Sequence, residues 1–170
     1  MPARLSLIML SAWLAASLVT GCGSSPAGTT TPAAAGSTGY DAALAERLGA
    51  DEYGMAKYVV AFLRAGPRAD QSPEEAKELM KAHLANINRM ADEGTLVVAG
   101  PFLDDGPLRG IYIFRVETVE EARALTATDP AVQAGRLVME LHPWYGSAAL
   151  REVTPLQRRL ERKDIKDIMD

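Results

Sequence analysis

The sequence predicts an α+β fold, a ferredoxin-like βαββαβ antiparallel sheet with two helices on one face. Two segments, KYVVAFL at 57–63 and GIYIFRV at 110–116, have the length of strands and are rich in β-branched and aromatic residues. Each is followed by a hydroxyl residue three positions before a glutamate, which is typical of a helix start. Two further short apolar strands, one before the second segment and one at the end, complete the order of elements.

The first helix begins at a capping box of Ser72 and Glu75, with Pro73 at the first helical position, where a missing N–H costs nothing. Apolar residues then recur every three or four positions as far as about Asp92, and Gly94 ends the helix. One stripe of this helix is therefore expected to face the core.

The middle of the chain carries two strands joined by a loop. A short apolar strand at 96–99 is closed by Gly100 and Pro101, and turn residues at 104–107 precede the strand at 110–116. The Asp, Gly and Pro residues of this loop favour a turn over a regular element.

The second helix is short, at about 119–127, and its capping box pairs Thr118 with Glu121. It breaks at the Asp-Pro pair 129–130. A last strand, in which apolar residues alternate with polar ones, is predicted at 137–143 and ends at its proline.

The face of this sheet that carries no helix is expected to be bare. The predicted strands supply Tyr, Val, Phe and Ile to it, and an apolar surface of this kind must be covered. The simplest cover is a second copy of the same sheet in a two-fold arrangement. The sequence therefore predicts a homodimer.

The N-terminus has the pattern of a bacterial lipoprotein. Residues 1–21 combine the single positive charge of Arg4, an apolar stretch too short to span a bilayer, and small residues before Cys22. This pattern predicts a signal peptide, cleavage before Cys22, and lipidation of this cysteine, the only one in the chain. The lipid bilayer is thus a predicted partner and the cell envelope the predicted location, with Gly23 favouring the outer membrane in a Gram-negative host. The alternative is an ordinary signal peptide followed by a buried cysteine.

Composition divides the rest of the chain. Residues 22–39 hold the cysteine and a tether of Gly, Ser, Thr, Pro and Ala, which offers nothing to build a core from. A lead-in at 40–54, where a short helix is one option, precedes the folded domain at 55–146, and a charged helical tail occupies 147–170. The net charge is −4 with both signs mixed along the chain, which argues against a nucleic-acid partner.

The tail is predicted to be an amphipathic helix. Thr154 and Gln157 have the spacing of a capping box, and Leu156, Leu160 and Ile168 fall on one side. Acidic residues stand between its arginines and lysines, which favours packing on the domain or on a partner over binding to an anionic membrane surface.

The core resembles the YciI-like (YCII-related) family of dimeric α+β barrels over about 55–146. The resemblance is carried by short motifs in a fixed order: 58–62 before Gly66 and Pro67; His83, Leu84 and Asn88; Gly94; Gly100, Pro101 and Phe102; 120–122; Asp129, Pro130 and Gly135; His142, Pro143 and Trp144. Some members are cofactor-independent enzymes that act on small, often aromatic or halogenated rings through a histidine and aspartate dyad. The resemblance places this dyad on His83 and Asp129 and implies no cofactor. The leader and the tail depart from the family, whose members are mostly cytoplasmic.

Each member of the predicted catalytic pair could instead have a purely structural role. Imidazole is suited to proton transfer near neutral pH and a carboxylate can orient it, but a histidine on an apolar stripe is often a core residue and an aspartate before proline often starts a turn. Weaker candidates for the lining of a ligand pocket are Gly100, Pro101, Asp104 and Trp144. The structural alternatives are that Asp104 belongs to a solvated acidic loop and that Trp144 closes a strand edge. No metal site is predicted, since two histidines and one cysteine make a poor ligand set.

Two functions stay open on the sequence. The first is a membrane-anchored, cofactor-independent enzyme for proton transfer, elimination or isomerisation on a small cyclic or aromatic acid, with His83 as base and Asp129 as its orienter. The second is a non-catalytic module of the cell envelope that binds a small ligand or another protein. An open cavity beside the pair favours the enzyme, and a sealed His83 favours the module.

Overall fold

The four strands of the chain form one antiparallel sheet. The computed structural model describes residues 39–165, and within them the strands lie in the order β2-β3-β1-β4. They are β1 (Met55–Ala65), β2 (Leu96–Pro101), β3 (Leu108–Phe114) and β4 (Leu137–Ser147). This order, with β1 and β3 at the centre, confirms the predicted ferredoxin-like α+β fold. The predicted leader at 1–21, including its boundary with Cys22, and nearly all of the tether at 22–39 lie outside the described residues.

Helices connect β1 to β2 and β3 to β4, and further helices precede β1 and follow β4. They are α1 (Ala42–Leu48), α2 (Pro73–Asp92), α3 (Val119–Thr126), α4 (Pro130–Gln133), a 3₁₀ helix (Ala148–Glu152) and α5 (Val153–Leu160). Among the helices of residues 39–165, none combines the length and the apolar character needed to cross a bilayer.

Both predicted capping boxes form. The Ser72 hydroxyl accepts the backbone N–H of Glu75 at 3.2 Å, and the Glu75 carboxylate accepts the N–H of Ser72 at 2.8 Å. Thr118 and Glu121 make the same two bonds at 3.2 and 2.9 Å. Because a capping box satisfies N–H groups of the first turn, it fixes where each helix begins and hence which residues face the sheet.

The main core lies between the sheet and helices α2 and α3. Its buried residues come from β1, β2 and β3 and from both helices: Val59, Ala61, Leu63, Met90, Leu96, Tyr112, Phe114 and Ala122. Burial of each large side chain in such a cluster stabilises the fold by about 1.5 to 3 kcal/mol.

Part of the opposite face of the sheet is covered. A second cluster holds α1 and the 3₁₀ helix against it, and consists of Leu48, Ala56, Tyr58, Val97, Ile113 and Ala148. The expectation of a bare face is wrong here, because segments outside the predicted domain at 55–146 pack on it. Further along the same face Val60, Phe62 and Ile111 are half-buried, and we call these residues the open sheet face.

Backbone groups of β1 alternate between its two neighbours. Met55 bonds Asp51 twice, since its N–H donates to the Asp51 carboxylate and its C=O accepts the Asp51 N–H, both at 2.9 Å. These groups point away from β4. Because alternate residues of a strand point their backbone groups the same way, Lys57 and Val59 also direct theirs toward the side of β3.

The predicted end of the last strand at Pro143 is wrong, because β4 continues to Ser147. Pro143 lies opposite Val59, whose backbone groups point to the other side. The nitrogen of Pro143 therefore lies on the outer edge of the sheet, where no neighbouring strand needs an N–H.

The Asp-Pro pair ends α3 as predicted, and it also begins a helix that the sequence analysis lacks. Asp129 is the N-cap of α4 and accepts the N–H of Ala131 at 2.9 Å, with Pro130 in the first turn. At four residues, α4 is too short to show a hydrophobic period.

The predicted capping box of the tail does not form. α5 begins at Val153 directly after the 3₁₀ helix, and its N-cap Glu152 makes no side-chain bond to the helix. Thr154 consequently lies inside the first turn, where its hydroxyl is 3.5 Å from main-chain oxygens of β2. The helix ends at Leu160, which is 77% exposed, so the predicted apolar side of the tail is not buried at this position.

Candidate active site

His83 lies on the face of α2 that packs against the sheet. The buried residues of this helix are His83, Asn86 and Met90, at spacings of three and four. His83 is 7% exposed. Its imidazole is shielded from water, so both ring nitrogens need hydrogen-bond partners within the protein.

Asp129 reaches this histidine from the start of α4. It is fully buried, its Oδ1 accepts the N–H of Ala131 at 2.9 Å, and its Oδ2 lies 2.7 Å from Nδ1 of His83. A carboxylate accepts hydrogen bonds, which assigns the imidazole proton to Nδ1 and leaves Nε2 with a lone pair. The structure thus brings together the two residues predicted as a pair, 46 positions apart in the sequence.

Tyr112 on β3 is a third member that the sequence analysis missed. Its hydroxyl is 3.2 Å from Nε2 of His83, and the two rings stack with centres 6.2 Å apart. Burial, and after it the charge of Asp129, raises the pKa of Tyr112 far above its ordinary range. The hydroxyl therefore stays protonated and donates a hydrogen bond to Nε2, which completes an arrangement that we call the Asp–His–Tyr chain.

The sequence pattern of β3 indicates that Tyr112 is buried, but it does not indicate which residue Tyr112 contacts. It shares one face of β3 with Phe114, which is also buried, and a buried tyrosine needs a hydrogen-bond partner. His83 lies 29 residues earlier, on another element, and no local pattern connects the two.

Polar side chains next to the Asp–His–Tyr chain hold α2 to the loop before α4. Arg89 donates to the Asn86 side-chain oxygen at 2.8 Å and to the Thr128 hydroxyl at 2.9 Å. The hydroxyl of Thr128, directly before Asp129, lies 2.7 Å from a main-chain oxygen of α3, to which it donates its one proton, and 3.1 Å from the Asn86 oxygen. These contacts position Asp129 relative to the helix that carries His83.

The four pocket candidates lie at the end of β2, in the loop that follows it and on β4. Gly100 and Pro101 are exposed at the end of β2, and Asp104 is exposed in the following loop. Trp144 on β4 is 41% exposed and packs against Tyr58 with ring centres 5.8 Å apart. Their roles stay predictions.

Two of the cavities in the described part of the chain have the volume of a small-ligand site. One of about 460 Å³ lies at the start of β1, and one of about 470 Å³ lies between α2 and α5. Neither is lined by His83, Asp129 or Tyr112, nor by any of the four pocket candidates. The chemistry of the Asp–His–Tyr chain, and not the cavities, identifies it as the candidate active site.

The second histidine belongs to a surface network. His142 Nε2 lies 3.0 Å from the Glu140 carboxylate, which also accepts a hydrogen bond from Arg64 at 2.6 Å. His142 and then Arg64 hold the pKa of Glu140 below its usual range. Within residues 39–165 no three side chains of metal-ligating type come together.

Comparison with known proteins adds two findings. The sequence model of the YCII-related domain matches residues 58–145. Among solved structures, the chain is similar to 5-chloro-2-hydroxyhydroquinone dehydrochlorinase from Burkholderia phenoliruptrix AC1100 in complex with 2,5-dihydroxybenzoquinone, with 21% identity and a TM-score of 0.40 over 52% of this chain and 93% of that one. No curated protein matches the sequence.

Proposed function

Because the chain belongs to the family of YCII-related domains, we propose that it is a membrane-anchored enzyme that transfers protons on a small cyclic or aromatic acid without a cofactor. The observation that carries this proposal is the buried hydrogen bond of 2.7 Å between Asp129 and His83. A carboxylate on one nitrogen of an imidazole orients the ring and stabilises the cation that forms when the other nitrogen takes a proton.

In this proposal Nε2 of His83 is the base. It removes a proton from the substrate, Asp129 stabilises the resulting imidazolium, and the same proton returns to another atom of the substrate or leaves with the departing group. The Tyr112 hydroxyl occupies Nε2 in the absence of substrate, at 3.2 Å, a long distance for a hydrogen bond from a hydroxyl. A substrate must displace this bond and also gain access to His83, which is 7% exposed and lines neither of the two cavities described above.

A non-catalytic module is the second candidate, and one observation favours it. His83 is 7% exposed and lines neither cavity, so the imidazole also has the environment of a core residue whose polar atoms are satisfied. In that function the fold would present a binding surface, and the Asp–His–Tyr chain would stabilise it.

We expect His83→Gln to lower turnover by about 100-fold to 10,000-fold, the usual contribution of a general base. The assay screens the purified protein against small phenols, hydroquinones and lactones. His142→Gln is the matched control, because this exposed histidine lies outside the Asp–His–Tyr chain and its loss should leave turnover unchanged. Turnover that survives in His83→Gln would contradict the role of His83 as the base, and binding without any turnover would favour the module.

The membrane anchor is a separate part of the proposal and rests on Cys22, outside the described residues. We expect Cys22→Ser to move the protein from the membrane fraction to the soluble fraction, because two or more acyl chains are needed for stable attachment and the serine variant has none. Ser24→Ala, two residues away, serves as the control and should stay with the membrane. A serine variant that still sediments with membranes would rule out a lipid on this residue.

A homodimer through the open sheet face completes the proposal. Val60, Phe62 and Ile111 are half-buried there, and a second copy would remove them from water. We expect light scattering of residues 39–170 to give twice the monomer mass at micromolar concentration, and Phe62→Glu to give the monomer. Leu160→Glu, on the exposed side of α5, should remain dimeric, and a monomeric parent chain would exclude this assembly.

A further inference from the structure

A cavity of about 460 Å³ opens where β1 begins, and we call it the β1 cavity. Its walls come from the first residues of β1, the segment just after β3, the turn after α1, the end of β4 and the 3₁₀ helix. It shares no lining residue with the Asp–His–Tyr chain. The volume lies within the range of about 300 to 1,000 Å³ that is typical of sites for small ligands.

Strand β1 extends beyond its neighbour at this end of the sheet. β3 ends at Phe114, opposite Val59, whereas β1 already begins at Met55. Met55 bonds Asp51, and Lys57 points its backbone groups the same way, past the end of β3. The N–H of Lys57 is therefore directed to the β1 cavity, where no strand lies opposite it.

Three cationic residues line the β1 cavity, namely Lys57, Arg115 and Arg151. Lys57 and Arg115 form no ion pair with any residue that the structure describes. Arg151 donates to the main-chain oxygen of Leu48 and stacks 5.5 Å from the ring centre of Tyr58, yet its buried Nε has no acceptor within residues 39–165. Cationic donors are thus concentrated here in a protein of net charge −4.

Gly49 leaves room for one of these cations. It ends α1 with φ at +56°, a conformation that side chains rarely adopt, and a Cβ at this position would lie 2.5 Å from Nη1 of Arg151. Any larger residue would displace the guanidinium from the wall of the β1 cavity.

Two carboxylates also line the β1 cavity, and one of them is fully engaged. Asp51 accepts the Tyr145 hydroxyl and the N–H groups of Met55 and Tyr53, which together hold the pKa of Asp51 below its usual range. Glu117 is exposed and forms no ion pair within residues 39–165. Three cations therefore face one uncommitted carboxylate.

We infer that the β1 cavity binds a small organic ligand through a carboxylate or phosphate group. Arg115 and Lys57 supply the charge, and the backbone N–H of Lys57 supplies a further donor, since charge-assisted hydrogen bonds from guanidinium and ammonium groups are the strong contacts to such oxyanions. The site is independent of the proposed catalysis at His83.

The test is a titration of the purified protein with inorganic phosphate and, separately, with succinate, followed by NMR at the amide of Lys57 and at Nε of Arg115. We expect saturable shifts at these signals and weakening of binding by about tenfold in Arg115→Gln, the effect of losing one charge-assisted hydrogen bond. Arg109→Gln is the matched control, because Arg109 lies near the other end of β3 and lines neither cavity.

A second variant is expected to change the binding affinity in the opposite direction. Glu117→Gln removes a charge that repels the ligand, so it should bind the same probe more tightly than the parent protein does. Whichever probe saturates at the lower concentration identifies the oxyanion as phosphate or carboxylate. Three outcomes would each overturn the assignment: shifts that grow linearly with both probes, an unchanged affinity in Arg115→Gln, or an equal loss of affinity in Arg109→Gln. The amide spectrum of each variant verifies that the variant is folded.

Discussion

Replacement of Phe114 by alanine is expected to lower the free energy of unfolding by about 3 to 5 kcal/mol, the range for truncation of a buried phenylalanine. Phe114 has no exposed surface and lies in the main core on β3. Its ring meets that of Tyr112 nearly edge-on at 82°, with centres 5.7 Å apart. The variant therefore loses both the burial of a large side chain and an aromatic contact next to the Asp–His–Tyr chain.

Urea denaturation of Phe114→Ala and of the parent protein measures this difference directly. Leu103→Ala is the control, because Leu103 is 99% exposed and its truncation should change the free energy of unfolding by less than about 0.5 kcal/mol. Equal stability of the two variants would mean that Phe114 is not part of the core.

Asp129→Ala is expected to lower the free energy of unfolding by about 2 to 4 kcal/mol, because it leaves two buried donors without an acceptor. These donors are Nδ1 of His83 and the N–H of Ala131. The second of them also belongs to the first turn of α4, so the same substitution removes the cap of that helix.

Asp129→Asn separates these effects. Asparagine keeps a side-chain oxygen for one donor and still caps a helix well, so the loss of stability should be smaller than with alanine. Asp104→Ala, in an exposed loop, is the control and should leave denaturation unchanged. If both Asp129 variants unfold like the parent protein, the buried hydrogen bonds of Asp129 contribute nothing to stability.

Local sequence signals predicted the parts of the fold that local chemistry controls. The hydroxyl and glutamate pairs at 72–75 and 118–121 gave the start of α2 and α3, because the bonds of a capping box join residues only three positions apart. The strand order followed from the repeated strand and helix unit. Both members of the predicted dyad were placed by the family resemblance, and their separation of 2.7 Å agrees with it.

The features that escaped prediction depend on neighbours distant in sequence. Tyr112 joins His83 only when β3 lies under α2, and Pro143 fits inside a strand only because that strand lies at the edge of the sheet. Each of these outcomes is a tertiary effect that overrides a correct local preference.

The position of Pro143 limits how copies of this protein associate. β4 is eleven residues long, and an edge strand of that length can accept a strand from another chain and so start a fibre. Pro143 stands near its middle with no N–H to offer outward, which interrupts any ladder that begins there. Self-association along this edge of the sheet is thereby disfavoured.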